Sequence, residues 1–220
     1  MATDFERARK RMVQDQVAAR GITDPRVIAA MEKVPRHRFV DEALAERAYS
    51  DRALPIGEKQ TISQPYIVAR SIAAARLLGP ERVLEIGAGS GYQAAVLAEC
   101  ARRVYSVERI ASLATRARTI LETLGYGNIV IRLADGTEGW KDQAPFDAII
   151  VAAAAPSIPA PLIEQLKEGG RLVIPLERGG GKEGQILTVA ERRGSEVVTT
   201  SLDDVVFVPL IGRHGHLGEE

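Results

Sequence analysis

The sequence predicts an α/β fold: a doubly wound, mostly parallel sheet with helices on both faces, N-terminal helices, and antiparallel C-terminal edge strands. Between residues 82 and 176, short apolar stretches alternate with amphipathic ones in strand–helix order, which is typical of a parallel sheet with crossover helices. Residues 185–202 instead resemble two strands joined at Arg193-Gly194, and residues 204–210 a third. We expect these last strands to close one edge of the sheet.

The composition is that of an ordinary globular protein. The 220 residues include 29 basic and 29 acidic side chains, so no overall field attracts nucleic acid or an anionic membrane. Cys100 is the single cysteine, which excludes an internal disulfide and fits a reducing compartment. We find no signal peptide, apolar membrane span or coiled-coil heptads. We therefore expect a cytoplasmic protein, monomeric, without nucleic-acid or membrane partners.

The first third of the chain reads as helices around an irregular stretch. Residues 4–21 form one helix that stops at Gly21, and residues 23–35 form another, with Thr23 or Asp24 as its N-cap. The helical pattern breaks up over residues 36–65. An irregular segment of this length is usually functional or contains short elements of its own. A further helix follows over residues 66–79 and is ended by Gly79.

Strands and helices then alternate in a regular order. The predicted strands are 82–87, 103–108, 128–134, 146–154 and 169–176, and the helices are 92–101, 110–125 and 160–166. The strand 146–154 is almost entirely apolar, as expected of a strand buried on both faces.

A glycine-rich turn, in "VLEIGAGSGYQAAVLAE", joins the first core strand to its helix. Glycine lets the backbone come close to a ligand, so such a turn suits a polar or anionic cofactor. Gly87, Gly89 and Gly91 are spaced G-x-G-x-G, and Tyr92 stands where the dinucleotide fingerprint G-x-G-x-x-G wants glycine. With the acidic Glu85 before it, the turn favours a nucleoside-type ligand over a pyrophosphate and argues against a nicotinamide oxidoreductase.

Acidic residues follow the next two strands. Glu108 is placed to accept both hydroxyl hydrogens of a ribose, and Asp135, followed by Gly136, to accept from the exocyclic amine of an adenine. Taken singly, a strand-end Glu is often a solvated edge residue and an Asp before Gly a turn residue. Together with Glu85 and the glycines, they indicate an adenosyl cofactor.

This order of motifs resembles the class I S-adenosylmethionine-dependent methyltransferases. The blocks "QTISQPYIVA", "MEKVPRHRFV", "VVFVPLIG" and "FDAIIVAAAAPSIPAPLIEQLKEGGRLVIP" closely resemble the protein-L-isoaspartate O-methyltransferase family, from about Arg11 to Gly212. "QTISQP" is far more specific than the glycine motif. Two departures are "FVDEAL", where the family usually has Pro after "FV", and Ala152, where Thr is common and a hydroxyl near the substrate is lost.

The resemblance implies a fold, a reaction and a cofactor. It implies one Rossmann-like methyltransferase domain over residues 1–220: a helical extension with the active-site loop (1–65), a core (66–212) and a tail (213–220) that holds His214 and His216. It also implies methyl transfer from S-adenosyl-L-methionine to the free α-carboxylate of L-isoaspartyl residues in proteins and peptides.

Site residues follow from the same resemblance. It implies that Ser63 is the catalytic hydroxyl and that Gln64 helps to cover the cofactor; from spacing alone, Ser63 would be a loop-capping serine. No metal is expected, and no general base, since a carboxylate is already ionised at neutral pH. Two alternatives are a class I methyltransferase with another carboxylate or small-molecule acceptor, and a non-catalytic adenosyl-binding module.

Overall fold

A computed structural model describes residues 4–181 and 183–217. The helices within these ranges are α1 (Asp4–Met12), α2 (Pro25–Lys33), α3 (Pro65–Ala75), α4 (Tyr92–Cys100), α5 (Ala111–Thr123) and α6 (Ala160–Glu164). The strands are β1 (Leu54–Gly57), β2 (Gln60–Ile62), β3 (Arg82–Ile86), β4 (Arg103–Glu108), β5 (Ile129–Leu133), β6 (Phe146–Val151), β7 (Leu166–Glu177), β8 (Gln185–Arg193) and β9 (Glu196–Val205). Two short 3₁₀ turns, Arg36–Phe39 and Glu42–Arg47, lie between α2 and β1.

The main sheet confirms the predicted fold class. Its strand order is β5-β4-β3-β6-β7-β8-β9. The pairs from β5 to β7 are parallel, and β8 and β9 add antiparallel strands at one edge. The chain runs from β3 outward to β5 and then returns to the other side of β3, so strand order reverses between β3 and β6. Ligands of open α/β sheets bind at such a reversal, beyond the carboxyl ends of the strands.

The central strands are covered on both faces. Ile149 and Val151 of β6 pack into one layer of the core and Ala148 and Ile150 into the other, because successive side chains of a strand point to opposite faces. All four are almost fully buried. This confirms the prediction that the apolar strand 146–154 is buried on both sides.

The predicted third edge strand, residues 204–210, is wrong. β9 continues to Val205, and after it the side chain of Gln185 takes over both backbone groups of Phe207. Its Oε1 accepts from the Phe207 N–H at 2.6 Å and its Nε2 donates to the Phe207 carbonyl at 3.1 Å. The backbone N–H and carbonyl of Phe207 are therefore already bonded to this side chain and do not pair with a neighbouring strand. The chain then turns onto the end of β6, where Ala154 bonds Val208 and Leu210.

Two helix ends differ from the sequence pattern. The first helix stops at Gly21 as predicted (φ 90°), but its α-helical part ends at Met12. A π-helical turn (Val13–Val17) and a 3₁₀ turn (Ala18–Arg20) complete it. α3 ends at Ala75 rather than near Gly79. The carboxylate of Glu81 accepts from the backbone N–H groups of residues 78 and 79 at 2.8 and 2.7 Å, which draws them into a turn ahead of β3. At α2, Asp24 is the N-cap, since its carboxylate accepts from the Arg26 N–H.

The C-terminal segment folds back onto the end of the sheet. The Arg213 N–H donates to Asp135 Oδ2 at 2.8 Å, and the His214 N–H donates to Thr137 Oγ1 at 3.1 Å. His214 and His216 lie 3.3 and 3.1 Å from the carboxylates of Glu138 and Glu177. Of the predicted tail, residues 218–220 lie outside the described residues.

Candidate active site

One cleft opens at the carboxyl ends of β3, β4 and β6, where strand order reverses. Its walls come from the turn after β3, the end of β4, the β1–β2 hairpin and the C-terminal segment 208–211. Part of the block "VVFVPLIG", which carried the family resemblance, therefore lies beside the cofactor motifs.

The glycine turn forms the floor of the cleft. Gly87 and Gly89 line it directly, and both have positive φ, at 91° and 52°. A Cβ on Gly89 would stand 3.4 Å from Ile56 in the hairpin, and one on Gly87 would stand 3.5 Å from Ala152. Gly91 does not line the cleft. It is the N-cap of α4 and faces Ala117 on the neighbouring helix.

Glu108 holds the turn in place and still faces the cleft. Its Oε2 accepts from the Gly89 N–H and its Oε1 from the Ile110 N–H, both at 2.9 Å. The residue is 5% exposed. Each carboxylate oxygen can accept a second hydrogen bond, so Glu108 presents two pre-oriented acceptors to a ligand with adjacent hydroxyls.

Glu85 lies beneath the cleft rather than in its wall. It is fully buried; Ser106 donates to its Oε2 at 2.5 Å, and the Gln93 side chain donates to its Oε1 at 3.2 Å. Burial raises the pKa of Glu85 to about 8, with the two hydrogen bonds opposing the rise. The carboxyl is therefore mostly neutral at pH 7, and it reaches the cleft only through Gln93, which lines it.

Asp135 is engaged by the protein itself. Its Oδ1 accepts from the N–H and the hydroxyl of Thr137 at 2.8 and 2.7 Å, and its Oδ2 accepts from the Arg213 N–H. Burial would raise the pKa of Asp135, but these hydrogen bonds hold it below its ordinary value. The neighbouring Gly136 lines the cleft, and a Cβ there would stand 2.4 Å from Ile86.

Ser63 stands where the cleft meets a second groove. Ser63, Thr61, Ala152 and Val208 line both spaces. The second groove continues along residues 204–208, of which Val206 is 95% exposed. Ser63 therefore lies on the boundary between the cofactor motifs and an open surface channel.

Gln64 faces the groove and not the cleft. Its side chain donates weakly to the Asp51 carbonyl at 3.4 Å. It also precedes α3, whose first residue is Pro65. The structure thus brings Ser63, Gly87, Gly89, Glu108 and Gly136 together in the cleft wall, and it places Glu85, Gly91, Asp135 and Gln64 around them.

Sequence reasoning assigned no role to Arg36. Its guanidinium is completely buried and donates to the Ser63 carbonyl at 2.7 Å. No spacing rule links an arginine in an irregular segment to a carbonyl 27 residues later. The block "MEKVPRHRFV", which carried part of the family resemblance, was the available signal.

The described residues hold no group of three or more His, Cys, Asp or Glu side chains placed to bind a metal ion. None of the helices in the described ranges is long and apolar enough to cross a membrane.

The sheet is doubly wound, and it presents a glycine turn and an acidic strand end to one cleft. This is the architecture of the class I S-adenosylmethionine-dependent methyltransferases. Comparisons with known proteins identify the family within this class. A family model described as protein-L-isoaspartate(D-aspartate) O-methyltransferase (PCMT) matches residues 7–215. The chain belongs to this family.

Individual relatives agree with the family match. The chain is 57% identical to protein-L-isoaspartate O-methyltransferase 1 of Syntrophobacter fumaroxidans over 98% of this chain and 99% of that protein. It is 55% identical to the protein-L-isoaspartate O-methyltransferase of Syntrophus aciditrophicus over 99% and 100%.

Solved structures show the same fold. A protein-L-isoaspartate O-methyltransferase superposes with a TM-score of 0.86 at 27% identity, over 94% of this chain and 67% of that one. The beta-aspartate methyltransferase (PCMT) from Plasmodium falciparum, solved in complex with S-adenosyl-L-homocysteine, superposes with a TM-score of 0.79 at 27% identity, over 92% and 98%.

Proposed function

We infer that this chain is a protein repair methyltransferase, which transfers a methyl group from S-adenosyl-L-methionine to the free α-carboxylate of L-isoaspartyl residues in damaged proteins and peptides. Family membership supports this function. The single observation that carries it is the position of Ser63, on the boundary between the cleft and the open groove. A donor in the cleft and a peptide in the groove would meet at this residue.

The cleft residues fit the adenosyl cofactor. Gly87 and Gly89 leave room for it close to the backbone, and the two free acceptor positions of Glu108 match a ribose diol. Gly136 gives the adenine a close-fitting wall. Asp135 keeps one acceptor position for the exocyclic amine beside its bond to Arg213.

Three further residues support the cofactor from outside the cleft wall. Glu85 orients Gln93, Gly91 starts α4 at the correct angle, and Gln64 covers the open side from the groove. The cofactor, when bound, supplies a methyl group activated on a sulfonium.

Catalysis then depends on position rather than on acid–base chemistry. The substrate carboxylate is the nucleophile and is ionised at neutral pH, so no residue has to remove a proton. The Ser63 hydroxyl donates to one carboxylate oxygen and leaves the other free to accept the methyl group. Alignment in a site shielded from water can contribute up to about 7–11 kcal/mol in favourable cases.

The product chemistry explains the repair. A methyl ester is a better leaving group than a carboxylate, so the backbone nitrogen closes on it to form a succinimide. Hydrolysis of the succinimide then returns part of the chain to a normal aspartyl linkage. The enzyme has only to perform the methylation.

The same proposal includes the domain organisation, oligomeric state, cellular location and partners of the enzyme. We take residues 1–220 as one methyltransferase domain that acts as a cytoplasmic monomer on isoaspartyl proteins, without binding nucleic acid or membranes. A balanced net charge supports the absence of polyanionic partners, and the free buried Cys100 fits a reducing compartment. Light scattering tests the monomer, and filter binding with RNA and DNA tests the nucleic-acid statement.

The decisive experiment is methyl transfer from labelled S-adenosyl-L-methionine to one peptide made in L-isoaspartyl and normal L-aspartyl forms. We expect label on the isoaspartyl form alone. Ser63→Ala should lower kcat/KM by roughly a hundredfold, because a misplaced reacting group typically costs that factor. The control is Ser195→Ala, at an exposed position between β8 and β9. Intact cofactor binding with no label on either peptide would instead indicate another acceptor.

A further inference from the structure

Arg36 is a buried cation with no carboxylate among its described contacts. It is 0% exposed, in the 3₁₀ turn Arg36–Phe39. Its Nε donates to the Ala48 carbonyl at 2.8 Å, its Nη2 donates to the Ser63 carbonyl at 2.7 Å, and its guanidinium carbon lies 4.8 Å from the centre of the Tyr92 ring. Burial lowers the pKa of Arg36 to about 10, so the group stays charged at neutral pH.

These contacts join three parts of the protein that build the site. Ala48 belongs to the N-terminal extension, Ser63 to the loop between cleft and groove, and Tyr92 to the first turn of α4 after the glycine motif. Phe39, from the same turn as Arg36, packs edge-on against Tyr92 at 5.6 Å between ring centres. The guanidinium therefore sits against a packed wall, which limits its movement.

The burial of the Arg36 charge is energetically unfavourable. Burying an unpaired cation costs free energy that two carbonyl bonds and an aromatic face offset only in part. On either side of Ser63, Ile62 is paired with Leu54 in the hairpin and the Gln64 carbonyl accepts from the Val68 N–H at 3.2 Å, while Arg36 holds the carbonyl of Ser63 itself. The cation thus lies directly behind Ser63, the residue that borders both the cleft and the groove.

We propose that Arg36 is the positioning residue of the active site: it holds the Ser63 backbone so that the hydroxyl meets the substrate carboxylate, and its charge favours the binding of that carboxylate. This rests on the proposed function, since it assumes an acidic acceptor at Ser63. Arg36 acts through Ser63 and does not touch the reacting atoms.

The test compares Arg36→Met and Arg36→Lys with Arg192→Met. Arg192, which is only partly buried, is a control for the contact type, because it too donates to two carbonyls, those of Glu164 and Leu166 at 3.2 and 2.7 Å, and it does not line the cleft. We expect Arg36→Met to lower kcat/KM for an isoaspartyl peptide by roughly 10- to 100-fold, the range for losing a charged hydrogen bond. Arg36→Lys should recover part of this loss, and Arg192→Met should change it by less than about twofold.

A double-mutant cycle separates positioning from a merely structural role. With Ser63→Ala there is no hydroxyl to position, so adding Arg36→Met should cost clearly less than it does in the wild type. The same loss in both backgrounds, or a loss matched by Arg192→Met, overturns the proposal.

Hydrogen exchange measures how firmly the segment around Ser63 is held, and it requires no substrate and only the conservative variant Arg36→Lys. In Arg36→Lys, amides of the segment 61–66 should exchange faster than in the wild type, while those of 83–92 keep their rates. Unchanged exchange at 61–66 overturns the proposal even if Arg36→Met does not fold. Faster exchange in Arg36→Lys, together with a wild type that does not methylate the isoaspartyl peptide, contradicts the proposed function instead.

Discussion

The two walls of the cleft are supported by different kinds of contact. The proposed cofactor wall, Gly87–Gly89 with Glu108, follows directly from two neighbouring parallel strands, and the Gly87 N–H itself bonds the Val107 carbonyl at 2.8 Å. The proposed catalytic wall, Thr61–Ser63, lies at the end of a two-stranded hairpin outside the main sheet. Hairpin pairing holds Thr61 and Ile62, and the Arg36 side chain of the N-terminal extension holds the Ser63 carbonyl.

The difference has a physical consequence for mutation. Where strand register and glycine backbone define a wall, most side-chain changes leave its shape intact, and damage is confined to the glycines and the bridging carboxylate. Where single side chains tether a wall, each tether matters. Arg20 is a second example: its guanidinium carbon lies 3.5 Å above the Tyr66 ring in α3, and it pairs with Asp51.

The sharpest test of the cofactor wall is Glu108→Gln. The amide removes one acceptor and the charge, so affinity for S-adenosyl-L-homocysteine should fall by about 1.5–3 kcal/mol, the range for hydrogen bonds to charged groups. Calorimetric titration measures it. The exposed Glu32→Gln in α2 is the control. If the walls are independent, the exchange rates of the segment 61–66 should not change; unchanged affinity would remove Glu108 from the site.

Gly136→Ala tests how closely the cofactor wall is packed. The new Cβ would stand 2.4 Å from Ile86 Cγ2, and overpacking of this kind typically costs about 1–3 kcal/mol. We expect a lower unfolding temperature together with weaker cofactor binding. Gly127→Ala is the matched control, since a Cβ there meets nothing within 4 Å. A stable variant with normal affinity would show that the cleft floor yields to an added methyl group.

Glu85→Gln should change how the stability of the fold depends on pH. The folded pKa of about 8 lies above the ordinary 4.5, so the neutral carboxyl contributes stability that is complete below about pH 4.5 and is lost as the pH rises through 8. Urea unfolding from about pH 5 to about pH 9 should show a shallower decline in the variant than in the wild type. The exposed Glu122→Gln should leave the wild-type slope unchanged; parallel curves for Glu85→Gln would mean that Glu85 is ionised in the fold.

The sequence by itself determined the alternating core and the cofactor wall, because both depend on local signals. Strand and helix periods, the glycine spacing and the acidic strand ends are readable over a few residues, and parallel pairing then brings the strand ends to one edge. The family resemblance pointed to Ser63, although no local sequence pattern predicted the structure of the segment around it.

Tertiary structure alone decided the contacts between distant segments. Gln185 ended β9 by taking the backbone groups of Phe207, the C-terminal segment came to rest on Asp135, and Arg36 was buried beneath Ser63. Each is a side chain that satisfies a backbone group far along the chain. The need to satisfy buried polar groups is general, but which partner does so depends on how the packed elements meet, and no local pattern encodes that.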